Sequence, residues 1–138
     1  MREILVLDAQ GGGIGRQLVE LLKRELPAMP VAVVGTNAAA TAAMLKGGAD
    51  RGATGENALC VCAARAELIL APIGMLLADG MMGEVTPAMA VAIGRSPARK
   101  ILIPSPRCGV QVAGGGALST SAAIAAAVRL AVEAAGIS

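Results

Sequence analysis

Gly11, Gly12, Gly13 and Gly15 stand in the stretch LVLDAQGGGIGRQLVELL, residues 5–22, where an apolar strand-like segment passes through a glycine-rich turn straight into an amphipathic helix. A helix N-terminus offers free backbone N–H groups and the positive end of the helix dipole, and glycine lets an anion approach with no Cβ in the way. That placement suits a phosphate. The same glycines are also what a tight turn and close helix–sheet packing would call for, and both readings are open at this point.

The spacing matches no standard fingerprint. The dinucleotide pattern G-x-G-x-x-G wants glycine at position 16, where the chain has Arg16. The short-chain dehydrogenase pattern G-x-x-x-G-x-G aligns with Ala9, Gly13 and Gly15, and so meets alanine where its first glycine belongs. No P-loop lysine follows. An acidic residue for an NAD ribose belongs at the end of the second strand, about 20 residues on; Gly35, Thr36 and Asn37 stand there instead. This weighs against ordinary NAD binding and favours NADP, another nucleotide, or a smaller phosphorylated or carboxylated ligand, with NAD kept among the candidate cofactors.

Ligands of open parallel sheets bind at the carboxyl ends of the strands, and Gln10, Thr36, Asn37, Gly74, Ser105, Arg107 and Cys108 all follow directly from expected strand ends. Gln10, Thr36 and Asn37 are expected either to contact a ligand or to hydrogen-bond turn backbone. Arg51 has the planar fork to meet an anionic group, or it pairs with Asp50. With Thr54 it is expected to close over the ligand. Glu56 and Asn57 read first as caps of a helix start. Glu84, in DGMMGEVTP between glycine-flanked turns, is either the acid of a loop over the site or a surface acid. Cys108, beside Arg107, is the one thiol a neighbouring cation would activate, but the chain has no histidine to serve as its base.

The elements that must position these residues follow from the hydrophobic pattern. Short, nearly unbroken apolar runs at 3–8, 30–35, 67–72 and 100–105 predict strands buried on both faces. A further piece at 109–114 is a candidate edge strand. Between them lie helical stretches. Ile14, Leu18, Leu22 and Leu26 recur every four residues. Thr86 and Pro87 predict a cap and first position before a stop at Gly94, and Ser119, Thr120 or Ser121 caps a last helix ending at Gly136. Two helical stretches, 38–46 and 56–66, separate the second and third of these strands, where one crossover needs one helix. The expectation is that 38–46 lies across the carboxyl edge of the sheet and that 56–66 makes the descent. The loop between them would then place Asp50, Arg51, Thr54, Glu56 and Asn57 beside the glycine turn. The alternative is a full second helix with a loop at the opposite edge.

Together this predicts a single three-layer α/β Rossmann-like domain over residues 1–138, with a mostly parallel sheet of four or five strands and helices on both faces. At 138 residues the chain can bury one sizeable core. It is 55% hydrophobic with no Phe, Tyr, Trp or His, so that core must be built from Ala, Val, Ile, Leu and Met. A net charge of +2, no basic cluster and no aromatics argue against nucleic acid as a partner. The uncharged stretches are broken by Pro and Gly and predict no membrane span. The N-terminus enters a strand at once, without a signal-peptide layout, so a cytoplasmic location is expected. Cys60, Cys62 and Cys108 read as reduced thiols rather than a disulfide set or a metal site. The run APIGMLLADGMMGE packs Met75, Leu76, Leu77, Met81 and Met82 closely. These are either core filler or, if left exposed, a homodimer face.

The segments DAQGGGIGRQLVE, GTNAAATAAMLKGGADRGATGENA, APIG, GEVTPAMA and KILIPSPRC together resemble a family of short bacterial proteins of unknown function, over residues 3 to about 108. In that family the turn opens with glycine where this chain has Ala9. The resemblance implies a Rossmann-like fold, and it carries over no activity and no catalytic residue. The reading of the residues themselves points to binding of a nucleotide or similar small phosphate-bearing metabolite. In this reading Gly11, Gly12, Gly13 and Gly15 hold the phosphate, and Thr36 and Asn37 meet the sugar or a second anionic group. A small NAD(P)-dependent oxidoreductase and a homo-oligomeric interaction module with an architectural glycine turn are the alternatives.

Overall fold

A computed structural model describes residues 1–105, 109–115 and 118–136. Five strands, β1 (Ile4–Asp8), β2 (Val31–Gly35), β3 (Arg51–Thr54), β4 (Leu68–Pro72) and β5 (Arg99–Ile103), form an all-parallel sheet in the order β3-β2-β1-β4-β5. The helices are α1 (Gly13–Glu25), α2 (Ala38–Lys46), α3 (Glu56–Arg65), α4 (Pro87–Arg95) and α5 (Thr120–Gly136), with a short 3-10 turn at Ile73–Leu76. The chain winds outward from β1 through β2 to β3, then returns past β1 to β4. The carboxyl ends of β1 and β4 therefore flank the switch point, where open α/β sheets leave a crevice.

Alternation along the strands divides the core. Ile4, Val6, Val31, Val33, Leu68, Leu70, Ile101 and Ile103 face one side with Leu18, Val19 and Leu22 of α1, Met44 of α2 and Ile124 and Val128 of α5. Leu5, Leu7, Ala32, Val34, Ile69 and Ala71 face the other with Leu59 of α3 and Met89 and Ile93 of α4. This is the expected three-layer α/β Rossmann-like architecture, with a core of aliphatic side chains and methionine. Helix starts follow their caps: the Thr86 hydroxyl accepts from the Met89 N–H at 3.2 Å with Pro87 in the first turn, and Ser119 accepts from the Ala122 N–H at 3.2 Å.

The structure corrects three expectations. The fifth strand is β3, RGAT, inside the segment expected to be loop. It pairs only with β2 and is exposed over most of its length, so it lacks the apolar run of the buried strands. Because β3 intervenes, α2 does not lie across the carboxyl edge. It runs from the Asn37 cap at that edge to Lys46 at the other, where Asp50 Oδ2 accepts from the Val31 N–H at 2.8 Å and from Lys23 Nζ at 2.9 Å. Finally, described residues 109–115 form no strand; Gly109 and Gly114 have φ of 72° and 77°, which break an extended run.

The methionine run is mostly core. Met75 is fully buried and Met81 packs against Gly74, while Met82 alone is 96% exposed. Among the described residues no helix is long and apolar enough to cross a membrane.

Candidate functional site

The glycine turn divides into two pairs with different physical demands. Gly12, the residue before α1, is buried with φ 72°, and a Cβ there would lie 2.7 Å from the Ala40 carbonyl oxygen and 2.9 Å from Ala40 Cα. Gly15 is also buried, and its Cβ would meet Met44 Sδ at 2.5 Å and Asp8 Cβ at 2.9 Å. These two glycines are required by the fold. Gly11 and Gly13 are exposed, carry no left-handed φ, and a Cβ on either would touch nothing within 4 Å. Neither packing nor backbone conformation asks for glycine at these two positions, although glycine lowers stability relative to alanine.

The N–H groups of the turn divide the same way. Gly12 donates to the Ala9 carbonyl at 3.0 Å and Gly15 to Asp8 Oδ2 at 2.7 Å, while Gln10 donates to Glu84 Oε1 at 2.8 Å. The N–H groups of Gly11, Gly13 and Ile14 have no partner among the described residues. Three free donors thus remain at the helix start beside the two exposed, Cβ-free residues.

Asp8 is the buried carboxylate beneath this turn. It is 4% exposed and sits at the tip of β1, with Oδ1 accepting from the Ala9 N–H at 2.8 Å and Oδ2 from the Gly15 N–H. Burial pushes its carboxyl above the ordinary range. The two N–H bonds oppose that rise, and the charge of Glu84 adds to it. The signal for Asp8 in the sequence was slight: an acidic residue closing the apolar run ILVL just before the glycine turn.

Glu84 reaches the same edge from the loop between β4 and α4. Its Oε1 accepts from the Thr36 hydroxyl at 2.7 Å, the Gln10 N–H at 2.8 Å and Asn37 Nδ2 at 2.9 Å. These bonds hold its carboxyl below the ordinary carboxylate range, the Thr36 bond most strongly. Asn37 also caps α2 through Ala40 N–H at 2.9 Å and donates to the Gln10 carbonyl at 3.0 Å. Gln10, Thr36 and Asn37, singled out in the sequence, are therefore brought together, around a carboxylate of this same chain. The loop is anchored by Val85, fully buried. Because the folded state depresses the Glu84 pKa, its stabilising contribution is present above the ordinary value of 4.5 and is lost as pH falls through the lower folded value. Acidification from pH 7 to 3 is expected to strip hydrogen-exchange protection from the Gln10 amide before that of β1. Equal protection of both throughout would contradict the Glu84 anchor.

The remaining expected residues separate. Thr54 ends β3 on the carboxyl edge, its hydroxyl 2.7 Å from that of Thr41 on α2. Arg51 begins β3 and lies at the opposite edge, so it does not close over the turn. It makes a two-pronged pair with Glu3 at 2.8 and 2.7 Å. It lines a cleft of about 460 Å³ there, with Arg2, Arg65, Cys62 and Glu67; Glu67 pairs with Arg2. Asp50 lies at that edge too. Glu56 starts α3, as its reading as a helix-start residue requires. Cys60 and Cys62 are free thiols. Arg107 and Cys108 fall outside the described residues. No group of three or more metal-binding side chains occurs among the described residues.

An open parallel sheet in the order 3-2-1-4-5, with a glycine-rich strand-to-helix turn at its switch point, defines a Rossmann-like α/β protein. The chain belongs to the family described as a domain of unknown function (DUF3842), which matches residues 3–135. Among solved structures it is similar to the dodecameric FMN-dependent UbiX-like decarboxylase from Escherichia coli O157:H7. Identity is 15%, coverage is 97% of this chain and 94% of that chain, and the TM-score is 0.53, a likeness of fold. No curated protein matches the sequence.

Proposed function

We propose that this protein binds a nucleotide or related phosphate-bearing metabolite at the carboxyl edge of the sheet, with the phosphate on the N–H groups of Gly11, Gly13 and Ile14. The observation that carries this reading is that Gly11 and Gly13 are glycine without any structural need, in the turn whose neighbouring N–H groups are unpaired. Gly12 and Gly15 serve the fold. Half of the turn is architecture, and in this reading the other half receives an anion.

The FMN dependence of the structurally similar decarboxylase makes FMN the first probe to try. In the bound state such a cofactor would bring redox-active isoalloxazine chemistry, and the turn's part would be to hold its phosphate. Gly11→Ala and Gly13→Ala provide the test, because each adds a methyl group in the path of the phosphate and nothing else. Hydrogen bonds to a charged group contribute about 1.5–3 kcal/mol, so each variant is expected to lose roughly ten- to a hundredfold in affinity for FMN or 5′-AMP by titration calorimetry. Thermal stability should stay equal to or slightly above that of the parent chain. Unchanged affinity in both variants, for a ligand that the parent binds, would overturn the assignment.

A further inference from the structure

The acidic residue that a free ribose diol wants at the tip of β2 is missing from the local sequence GTN, yet the fold delivers a carboxylate to that tip from residue 84. Thr36 and Asn37, the first two residues beyond β2, both donate to Glu84 Oε1, and so does the Gln10 N–H beyond β1. All three bonds fall on one oxygen. Oε2 has no hydrogen-bond partner among the described residues. We infer that Glu84 Oε2 reads the hydroxyls of the bound metabolite, so that the site takes phosphate esters whose neighbouring sugar or polyol hydroxyls are free and rejects those bearing a second phosphate there. The inference rests on the phosphate reading above and names the class of ligand within it.

A carboxylate oxygen with no internal donor accepts hydrogen bonds and offers none. Held anionic by the Thr36, Gln10 and Asn37 bonds, it attracts a hydroxyl and repels a phosphate. Its position relative to the turn is fixed by the chain, because Gln10, which bonds Oε1, is followed directly by Gly11 with its free N–H. A phosphate on Gly11 and a hydroxyl on Glu84 therefore belong to neighbouring parts of one ligand, as in a ribose or ribityl phosphate. The reading from the sequence that favoured NADP over NAD rested on the absence of a local acid at the β2 tip. Glu84 removes that ground.

Three probes separate the outcomes: inorganic phosphate, 5′-AMP and adenosine 2′,5′-bisphosphate, each titrated into the parent chain and Glu84→Gln with amide resonances as the readout. Glutamine keeps the Oε1 acceptor for Thr36, Gln10 and Asn37 and replaces Oε2 with an NH2 donor. The parent chain is expected to bind AMP about tenfold or more tightly than the bisphosphate, a like-charge penalty, and more tightly than phosphate alone. In Glu84→Gln the gap between AMP and bisphosphate should close or reverse. Equal affinity of the parent chain for AMP and bisphosphate, or a gap that survives in Glu84→Gln, would overturn the role of Glu84 while phosphate binding at the turn stands. If phosphate moves none of the Gly11, Gly13 and Ile14 amides in either protein, the phosphate reading fails and the inference falls with it. The comparison within the parent chain holds even if the variant loosens the loop.

Discussion

Gly12→Ala is expected to destabilise the fold by about 3 kcal/mol, whereas Gly11→Ala and Gly13→Ala, its immediate neighbours, leave stability unchanged or slightly raised. Two costs add at Gly12. An L-residue in the left-handed region costs roughly 1–2 kcal/mol, and the φ of 72° holds Gly12 there. The new Cβ would also lie 2.7 Å from a backbone oxygen and 2.9 Å from a backbone Cα of Ala40. Overpacking of this kind costs about 1–3 kcal/mol, and no flexible side chain can yield, because the atoms struck belong to the first turn of α2. Urea unfolding followed by far-ultraviolet circular dichroism measures the difference, the chain having no aromatic fluorophore. Three glycines with equal sensitivity to alanine would contradict the division of the turn into structural and open positions.

Asp8→Ala is expected to cost a similar amount, about 3 kcal/mol, because it strands two backbone donors in a buried site. The Ala9 and Gly15 N–H groups both end on the Asp8 carboxylate, and leaving a buried donor unsatisfied costs about 1–3 kcal/mol each. Asp8→Asn keeps one acceptor but turns an amide NH2 toward the other N–H, so it should fall between the parent chain and Asp8→Ala. The pH dependence has a definite sign. The folded Asp8 pKa lies above its ordinary value of 3.8, chiefly through burial. Its contribution is therefore fully present below that value and declines as pH rises through the folded value, opposite in direction to that of Glu84. Removing the ionisable group should flatten the decline above pH 3.8, which denaturant midpoints recorded across the acid range in the parent chain and in Asp8→Asn will resolve. A slope identical in the two proteins would exclude Asp8 as its source.

Much of the fold was legible because three of its strands, β1, β2 and β4, are buried on both faces. Val31–Val34 and Leu68–Ala71 have no choice but to be apolar, and an unbroken apolar run between turn residues is a readable sign of such a strand. β3 escaped for the complementary reason: Arg51 and Thr54 are exposed at the sheet's edge, so nothing forces the segment to look like a strand. That one omission displaced everything nearby. Without β3, the first expectation laid α2 along the carboxyl edge and carried Arg51 with the loop to the glycine turn instead of to Glu3, whereas the alternative of a full second helix with a loop at the opposite edge is the path α2 takes. The candidate site was half legible. Gln10, Thr36 and Asn37 stand out because they follow strand ends directly. The carboxylate that unites them lies 74 residues from Gln10 in the chain, and no local pattern encodes a partner at that separation. Nor could spacing tell Gly11 and Gly13 from Gly12 and Gly15, since the distinction depends on where Ala40, Met44 and Asp8 come to rest.

An anion seated on the free donors of this turn would show itself in a ¹⁵N-resolved amide titration with FMN, using inorganic phosphate as control. The amides of Gly11, Gly13 and Ile14 should shift together and saturate, while that of Gly15, held by Asp8, moves little. Saturable shifts elsewhere in the protein with these three amides unmoved, or no saturable shift with either probe, would contradict it.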